Sequence, residues 1–335
     1  MAAVLEPSAD TAPRDAWLWG VLLLTVGSLV AAVVAAPASD APEGATLGGL
    51  LFLGSSVHVA SSAWFWTVPA VRRFMLARRV RYVVAPVGLV VVTAVLGALV
   101  PQGPFALLLL AFFAWQFFHF QKQNLGLAAL ASVAYGAGSL RRGERAAINV
   151  AGVAGIAGLL CRPELLQIAG PLPRLDAFFP VAAGLFAAAA GYGAVQVLRR
   201  PAAERPWQAL ALQATALLFF LPVFLFDSPY AAVAGLTVAH GFQYLVMMAL
   251  VAGGGAAGRI PRWTALALLL NIALLLGVVL NLASHLHGGG PAERALYGAY
   301  LGAVMAHFVI DAGLWRLRDE FPRTFLRERL PYLLR

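Results

Sequence analysis

Trp263-Thr-Ala-Leu-Ala-Leu-Leu-Leu-Asn-Ile-Ala-Leu-Leu-Leu-Gly-Val-Val-Leu-Asn-Leu-Ala283 runs for 21 residues without a charged side chain. A helix needs about 20 such residues to cross the hydrocarbon of a bilayer. There it satisfies its own backbone groups, which irregular chain facing lipid cannot do. The rest of the chain has the same character. Of its 335 residues 61% are apolar and 12% charged, against about 25% charged in an ordinary soluble domain. A folded sphere of this size could not hide so much apolar surface from water. The composition therefore excludes a soluble enzyme, a disordered tail and a nucleic-acid-binding domain. The one cysteine, Cys161, rules out an internal disulfide and a cysteine metal cluster.

Working outward from that run, ten segments have the length and apolarity of spans: 17–36, 46–66, 82–100, 104–121, 146–160, 178–197, 207–226, 229–252, 263–283 and 295–315. No strand-length alternation occurs, so a β-barrel is not expected. Lysines and arginines collect on the cytoplasmic side of membrane proteins. With the N-terminus cytoplasmic, 21 of the 24 fall in inside segments, and only Arg162, Arg174 and Arg294 fall outside. The expected fold is all-α: one integral membrane domain over 1–335, about ten spans, both termini cytoplasmic, in a bacterial inner membrane. The net charge of +9 then orients the chain and meets anionic headgroups. Residues 316–335 alternate apolar and basic side chains and are expected to lie on the membrane surface. A cleaved signal peptide is disfavoured, because Glu6, Asp10 and Asp15 outweigh Arg14 and the first apolar run is too long.

Ionisable groups inside a span are costly, and they mark function. Four of the six histidines, His58, His119, His240 and His307, fall on spans two, four, eight and ten, and Asp311 is the one carboxylate well inside a span. All four spans run in the same direction. Counted from the cytoplasmic ends, the histidines lie about 8, 2, 12 and 8 residues deep. Four parallel helices thus each offer one imidazole between the midplane and the cytoplasmic side. Helical spacing adds Gln116 and Gln123 to the His119 face, Gln243 and Tyr244 to that of His240, and Asp311 to that of His307. Hydroxyls at Ser55, Ser61 and Ser62 flank His58. Such groups hold the second ring nitrogen of a metal-bound histidine. A membrane histidine on its own more often bonds between helices. His285 and His287 read as residues of a wet outer loop, Trp64, Trp66, Trp115 and Trp315 as interface anchors, and Asn271 and Asn281 as helix-packing residues.

Imidazole suits iron, zinc and copper, and a carboxylate adds preference for iron and manganese. One aspartate is thin for a dinuclear site, which uses several glutamates. The expected centre is a single non-haem iron on the four histidines, with Asp311 beside it, the three glutamines orienting the rings and Tyr244 as a proton donor. A lipid-soluble substrate (carotenoid, isoprenoid or fatty acyl) would enter sideways from the bilayer. No nucleotide-binding glycine loop is present, so electrons would come from an external donor. The dense histidine boxes of membrane fatty-acid desaturases are absent. Ser55-Ser-Val-His58, Phe118-His119-Phe120 and His240-Gly241 resemble the bacterial Brp/Blh family of β-carotene-cleaving oxygenases, polytopic proteins with single histidines on several spans. That resemblance implies one iron and carries His58, His119 and His240 over as ligands. The early His-Gly-x-x-Asp-His run of the family is missing. Two further classes remain open at this stage. Histidines on facing helices hold haem b in electron-transfer proteins, and His, Asp and Tyr chains serve transporters and proton relays.

Overall fold

The computed structural model describes residues 11–37, 43–168, 172, 175–254 and 261–334. Arg174, Arg259 and Arg335 of the charge alternation, and Glu6 and Asp10 of the N-terminal segment, lie outside the described residues. Among the described residues the chain is helical with no strand. Thirteen helical elements are convenient to name. They are α1 Thr11–Val34, α2 Ala45–Thr67, α3 Pro69–Leu76, α4 Val80–Leu99, α5 Gln102–Ala134, α6 Arg142–Cys161 and α7 Asp176–Leu198. After these come α8 Trp207–Leu218, α9 Leu221–Leu225, α10 Tyr230–Gly253, α11 Arg262–Ser284, α12 Pro291–Leu314 and α13 Glu320–Arg329.

Nine of these are long and apolar enough to cross a membrane. The seventh expected span, 207–226, is not one helix: it breaks at Phe219-Phe220, ahead of Pro222, into α8 and α9. A proline two residues into a turn lacks the amide that would bond back and ends the preceding helix. The segment still crosses, as two ion pairs show. At one end of α6, Arg141 meets Glu204 at 2.8 Å, just before α8; at the other end, Arg162 meets Asp227 at 2.7 Å, just after α9. Residues 204 to 227 therefore traverse the same height as α6. Among the described residues, nine helices and this broken segment thus have the reach of a membrane crossing.

α5 also departs from expectation. It was expected to end at residue 121, but it continues to Ala134, and 33 residues make it about 50 Å long. Gln121, Lys122, Gln123 and Asn124 read as a polar boundary. In the fold Gln121 and Asn124 are buried and face other helices, so the polarity is internal. The amide of Gln121 donates to the carbonyls of Ile148 at 2.6 Å and Ala216 at 3.1 Å, tying α5 to α6 and α8.

Lipid-facing surface is visible as exposed aliphatic side chains, among them Val30, Val91, Leu185 and Leu275. The apolar side of the C-terminal tail packs against the bundle. α13 and the turn after it bury Phe325, Leu326, Leu330 and Leu333 in the core that contains Trp64, Val251 and Tyr244. Arg329 donates to the Val251 carbonyl at 2.8 Å. Trp64, expected as an interface anchor, is likewise a core residue. Asn271 bonds back to the Ala267 carbonyl on its own helix instead of packing against a neighbour.

Candidate metal centre

α2 reaches the site through an irregular stretch. Its residues Phe52–Val57 form a π-turn, and the His58 amide bonds to the Leu53 carbonyl, five residues back. A π-turn adds a residue to one turn and re-aims the side chains after it. The carbonyls of Gly54 and Ser55 lie beside the His58 ring as a result. The same stretch lets α2 press against α10. A Cβ at Gly54 would lie 2.6 Å from the Val238 Cα, and one at Gly241 would run into the Gly54 backbone. Only glycine allows helices so close. His58 and His240 stand one turn and one residue from these contacts, so the close approach carries the two rings together.

The four rings close a circuit. Centroids are 5.0 Å apart for His58 and His240, 5.0 Å for His240 and His119, 5.3 Å for His119 and His307, and 5.1 Å for His307 and His58. Neighbouring rings are steeply inclined, at 73° to 90°. One ligand atom from each of His58, His240 and His307 lies within 4.8 Å of the others, and the same holds for His119, His307 and Asp311. His307 Nε2 is 3.4 Å from Asp311 Oδ2 and His119 Nε2 is 3.9 Å from it. Tyr244 donates its hydroxyl to Asp311 Oδ1 at 2.7 Å. His58, His240, His307 and Asp311 are each no more than 4% exposed.

Both ring nitrogens of His58, His240 and His307, and Nε2 of His119, are buried without a hydrogen-bond partner. Each such atom costs about 1–3 kcal/mol when nothing takes its lone pair or proton. Each ring can offer one of these nitrogens, so the four histidines bring up to four imidazole donors together, with a carboxylate at one side, the kind of set a cation takes.

All four predicted histidines, Asp311 and Tyr244 thus meet in one place. The glutamines do not act as expected. None of the three amides reaches a ring nitrogen. Gln243 donates to Thr25 Oγ1 at 2.9 Å and to Asn124 Oδ1 at 3.0 Å, while Gln123 donates to the His240 carbonyl and to Gln243 Oε1, both at 2.9 Å. They brace the backbone of α10 against α5 and α1. Gln116 is half-buried outside this network. Ser61 and Ser62 bond to the carbonyls of His58 and Val59, not to a ring. His285 bonds to the Asn281 carbonyl at 2.7 Å and, with His287, stays at the exposed end of α11.

Two residues that sequence reasoning passed over complete the walls. Phe120 stacks on His240 at 3.9 Å, and Phe308 stacks on His119 at 4.4 Å. Phe120 follows His119 and Phe308 follows His307, yet each covers a ring carried by another helix. The repeated His-Phe pair was the available signal. No family model, curated protein or solved structure matches the chain.

Proposed function

We propose that this chain is a membrane-embedded metalloenzyme that holds one non-haem iron between His58, His119, His240 and His307 and oxidises a lipid-soluble molecule. The carrying observation is the closed circuit of four imidazoles with seven unpaired ring nitrogens. The ligand atoms fall into two sets that share His307, namely His58, His240 and His307, and His119, His307 and Asp311, each within 4.8 Å, and small rotations of the rings would bring both sets onto one ion. Neighbouring centroids only 5.0–5.3 Å apart leave room for an ion and none for a haem macrocycle.

Iron in such a site supplies the means to use dioxygen, which, like the substrate, partitions into hydrocarbon. The protein groups have separable roles. Asp311 places its carboxylate 3.4 Å from Nε2 of His307 and 3.9 Å from Nε2 of His119, where it would join the ligand set or balance the ion's charge. Tyr244 donates to the other carboxylate oxygen, and its ring lies 5.0 Å from that of His307, which would place its O–H as a proton donor at the circuit. Phe120 and Phe308 exclude water from two of the rings. A carotenoid, isoprenoid or fatty-acyl substrate fits the apolar surroundings, an external donor would supply any electrons, and the bacterial inner membrane is the proposed location.

The test is elemental analysis and an absorption spectrum of the purified protein. One iron per chain without a Soret band is the expected result. A Soret band, or a preparation that binds no metal when iron is supplied, overturns the proposal.

A further inference from the structure

Arg78, Arg79 and Arg81 stand where α3 turns into α4, and all three line an open concavity of about 550 Å³. Its other walls are apolar: Leu76, Val80 and Ala85, with Val309 from α12. Each guanidinium is steadied by an uncharged neighbour. Arg78 lies over the Phe74 ring at 4.0 Å, and Phe74 stacks on Phe321 at 4.2 Å. Arg79 donates from Nε to the Leu76 carbonyl at 3.3 Å. Arg81 lies over the Tyr82 ring at 5.7 Å. Both press on α12 where Gly313 leaves room: a Cβ there would run into the Tyr82 hydroxyl and lie 2.9 Å from Arg81 Nε. Among the described residues none of the three arginines forms an ion pair. Asp319, just ahead of α13, pairs with Arg316 at 3.7 Å instead. Three anchored positive charges thus share one concavity with no paired carboxylate to balance them. Like charges so placed repel one another, and an anion among them removes the repulsion.

We propose that this concavity holds one anionic glycerophospholipid, with its phosphate among Arg78, Arg79 and Arg81 and an acyl chain along α4. The apolar surface decides which kind of anion fits. From Val80 the same face of α4 continues through Val84, Val87 and Val91, all more than half exposed. A free phosphate would use the arginines and leave that stripe bare. A hydrocarbon would cover the stripe and leave the charges unbalanced. A zwitterionic phospholipid would bring its own ammonium among three guanidiniums, which repel it. A phospholipid whose headgroup ends in a neutral glycerol meets both demands. Guanidinium suits the phosphate, because its planar N–H pairs match two oxygens at once. The general attraction of basic residues for an anionic leaflet asks only for charge. Here the charges are anchored at the head of an apolar stripe, so the interaction is with one lipid in one place. This inference does not depend on a metal at the histidine circuit.

The full-length protein in detergent is titrated with phosphatidylglycerol or with phosphatidylcholine of the same chains, and bound lipids are counted by native mass spectrometry. One phosphatidylglycerol per chain is expected to bind ahead of any phosphatidylcholine. Arg78→Gln with Arg79→Gln should weaken that binding about 25-fold, at about fivefold for each arginine beside an anionic headgroup. Arg72→Gln with Arg73→Gln is the control. Those two arginines are exposed on the same segment but do not line the concavity, and their loss should leave binding nearly unchanged. Ala85→Trp fills the concavity without altering charge and should weaken binding as the first pair does. Glycerol phosphate without acyl chains should not displace the lipid. Unfolding midpoints separate lost binding from lost fold. Without lipid all variants should match the parent, and phosphatidylglycerol should raise the midpoint of the parent and the control but not of Arg78→Gln with Arg79→Gln. Equal weakening by the two arginine pairs, equal binding of the two lipids, binding untouched by Ala85→Trp, or displacement by glycerol phosphate overturns the inference.

Discussion

His240 is fully buried, stacked on Phe120 and flanked by His58 and His119. No neighbouring side chain can take over its position. His240→Ala is therefore expected to abolish iron retention, read as metal per chain after dialysis. Losing a buried, stacked ring leaves a cavity, so the unfolding midpoint in detergent is read beside the metal content, and iron loss should exceed what any fall in stability explains. Asp311→Asn is a finer probe. It keeps shape but replaces the carboxylate beside His307 and His119 with an amide, and groups in that position typically change metal affinity 10–100-fold. Competition with a chelator of graded strength measures it. Retention of iron at full affinity in both variants would show that the circuit is not the metal site. A third residue-scale expectation is independent of function. Arg200 and Glu144 are both buried and joined by two hydrogen bonds. Removing one partner strands the other charge, at about 3–5 kcal/mol, whereas exchanging both for apolar residues is often neutral. Arg200→Met alone should lower the unfolding midpoint in detergent sharply, and Arg200→Met with Glu144→Leu should recover most of it.

At the scale of elements, the site depends on how close α2 and α10 lie. Gly241→Ala puts a methyl group into the Gly54 backbone. The helices must separate, and overpacking of this kind costs about 1–3 kcal/mol. Separation also pulls His58 from His240. Loss of iron should therefore exceed what the fall in stability explains, whereas Gly184→Ala, with open space around it, should change neither. The helices themselves were legible in the sequence, because an uncharged run of 20 residues has one solution in lipid. Their irregularities were not. The π-turn before His58 leaves no trace in hydropathy. His119 read as lying almost at a helix end because Gln121, Lys122, Gln123 and Asn124 resemble a boundary. A hydropathy window cannot tell polar groups that face water from polar groups that face another helix. The four histidines could be grouped from the direction of their spans alone. Which amide touched which atom depended on rotamers and neighbours, and the glutamines turned toward the backbone of α10 and the side chains of Thr25 and Asn124.

For the whole molecule, the nine membrane-length helices and the two ion pairs at opposite ends of α6 are consistent with the arginine alternation, with 204–227 as a span broken in the middle. The C-terminal tail is where composition leaves two arrangements open. Its alternation of apolar and basic residues fits a helix lying on headgroups, and the same pattern fits a helix docked on protein with its basic face outward. Phe325, Leu326, Leu330 and Leu333 join the core that also holds Tyr244, so the tail closes the bundle beneath the histidine circuit. Burying each such side chain contributes about 1.5–3 kcal/mol as an upper bound. Truncation after Trp315 should therefore lower the unfolding midpoint strongly and expose Trp64 to quenchers. In the intact protein, trypsin should cleave slowly at Arg323, Arg327 and Arg329, because cleavage requires the tail to undock first, and local opening of a segment tied into a core is rare. A tail resting on lipid would behave otherwise: it would be removed without cost to the bundle, and its arginines would be cut quickly once the protein is in detergent. Rapid trimming that leaves the unfolding midpoint unchanged would refute the docked arrangement and return residues 316–335 to the membrane surface.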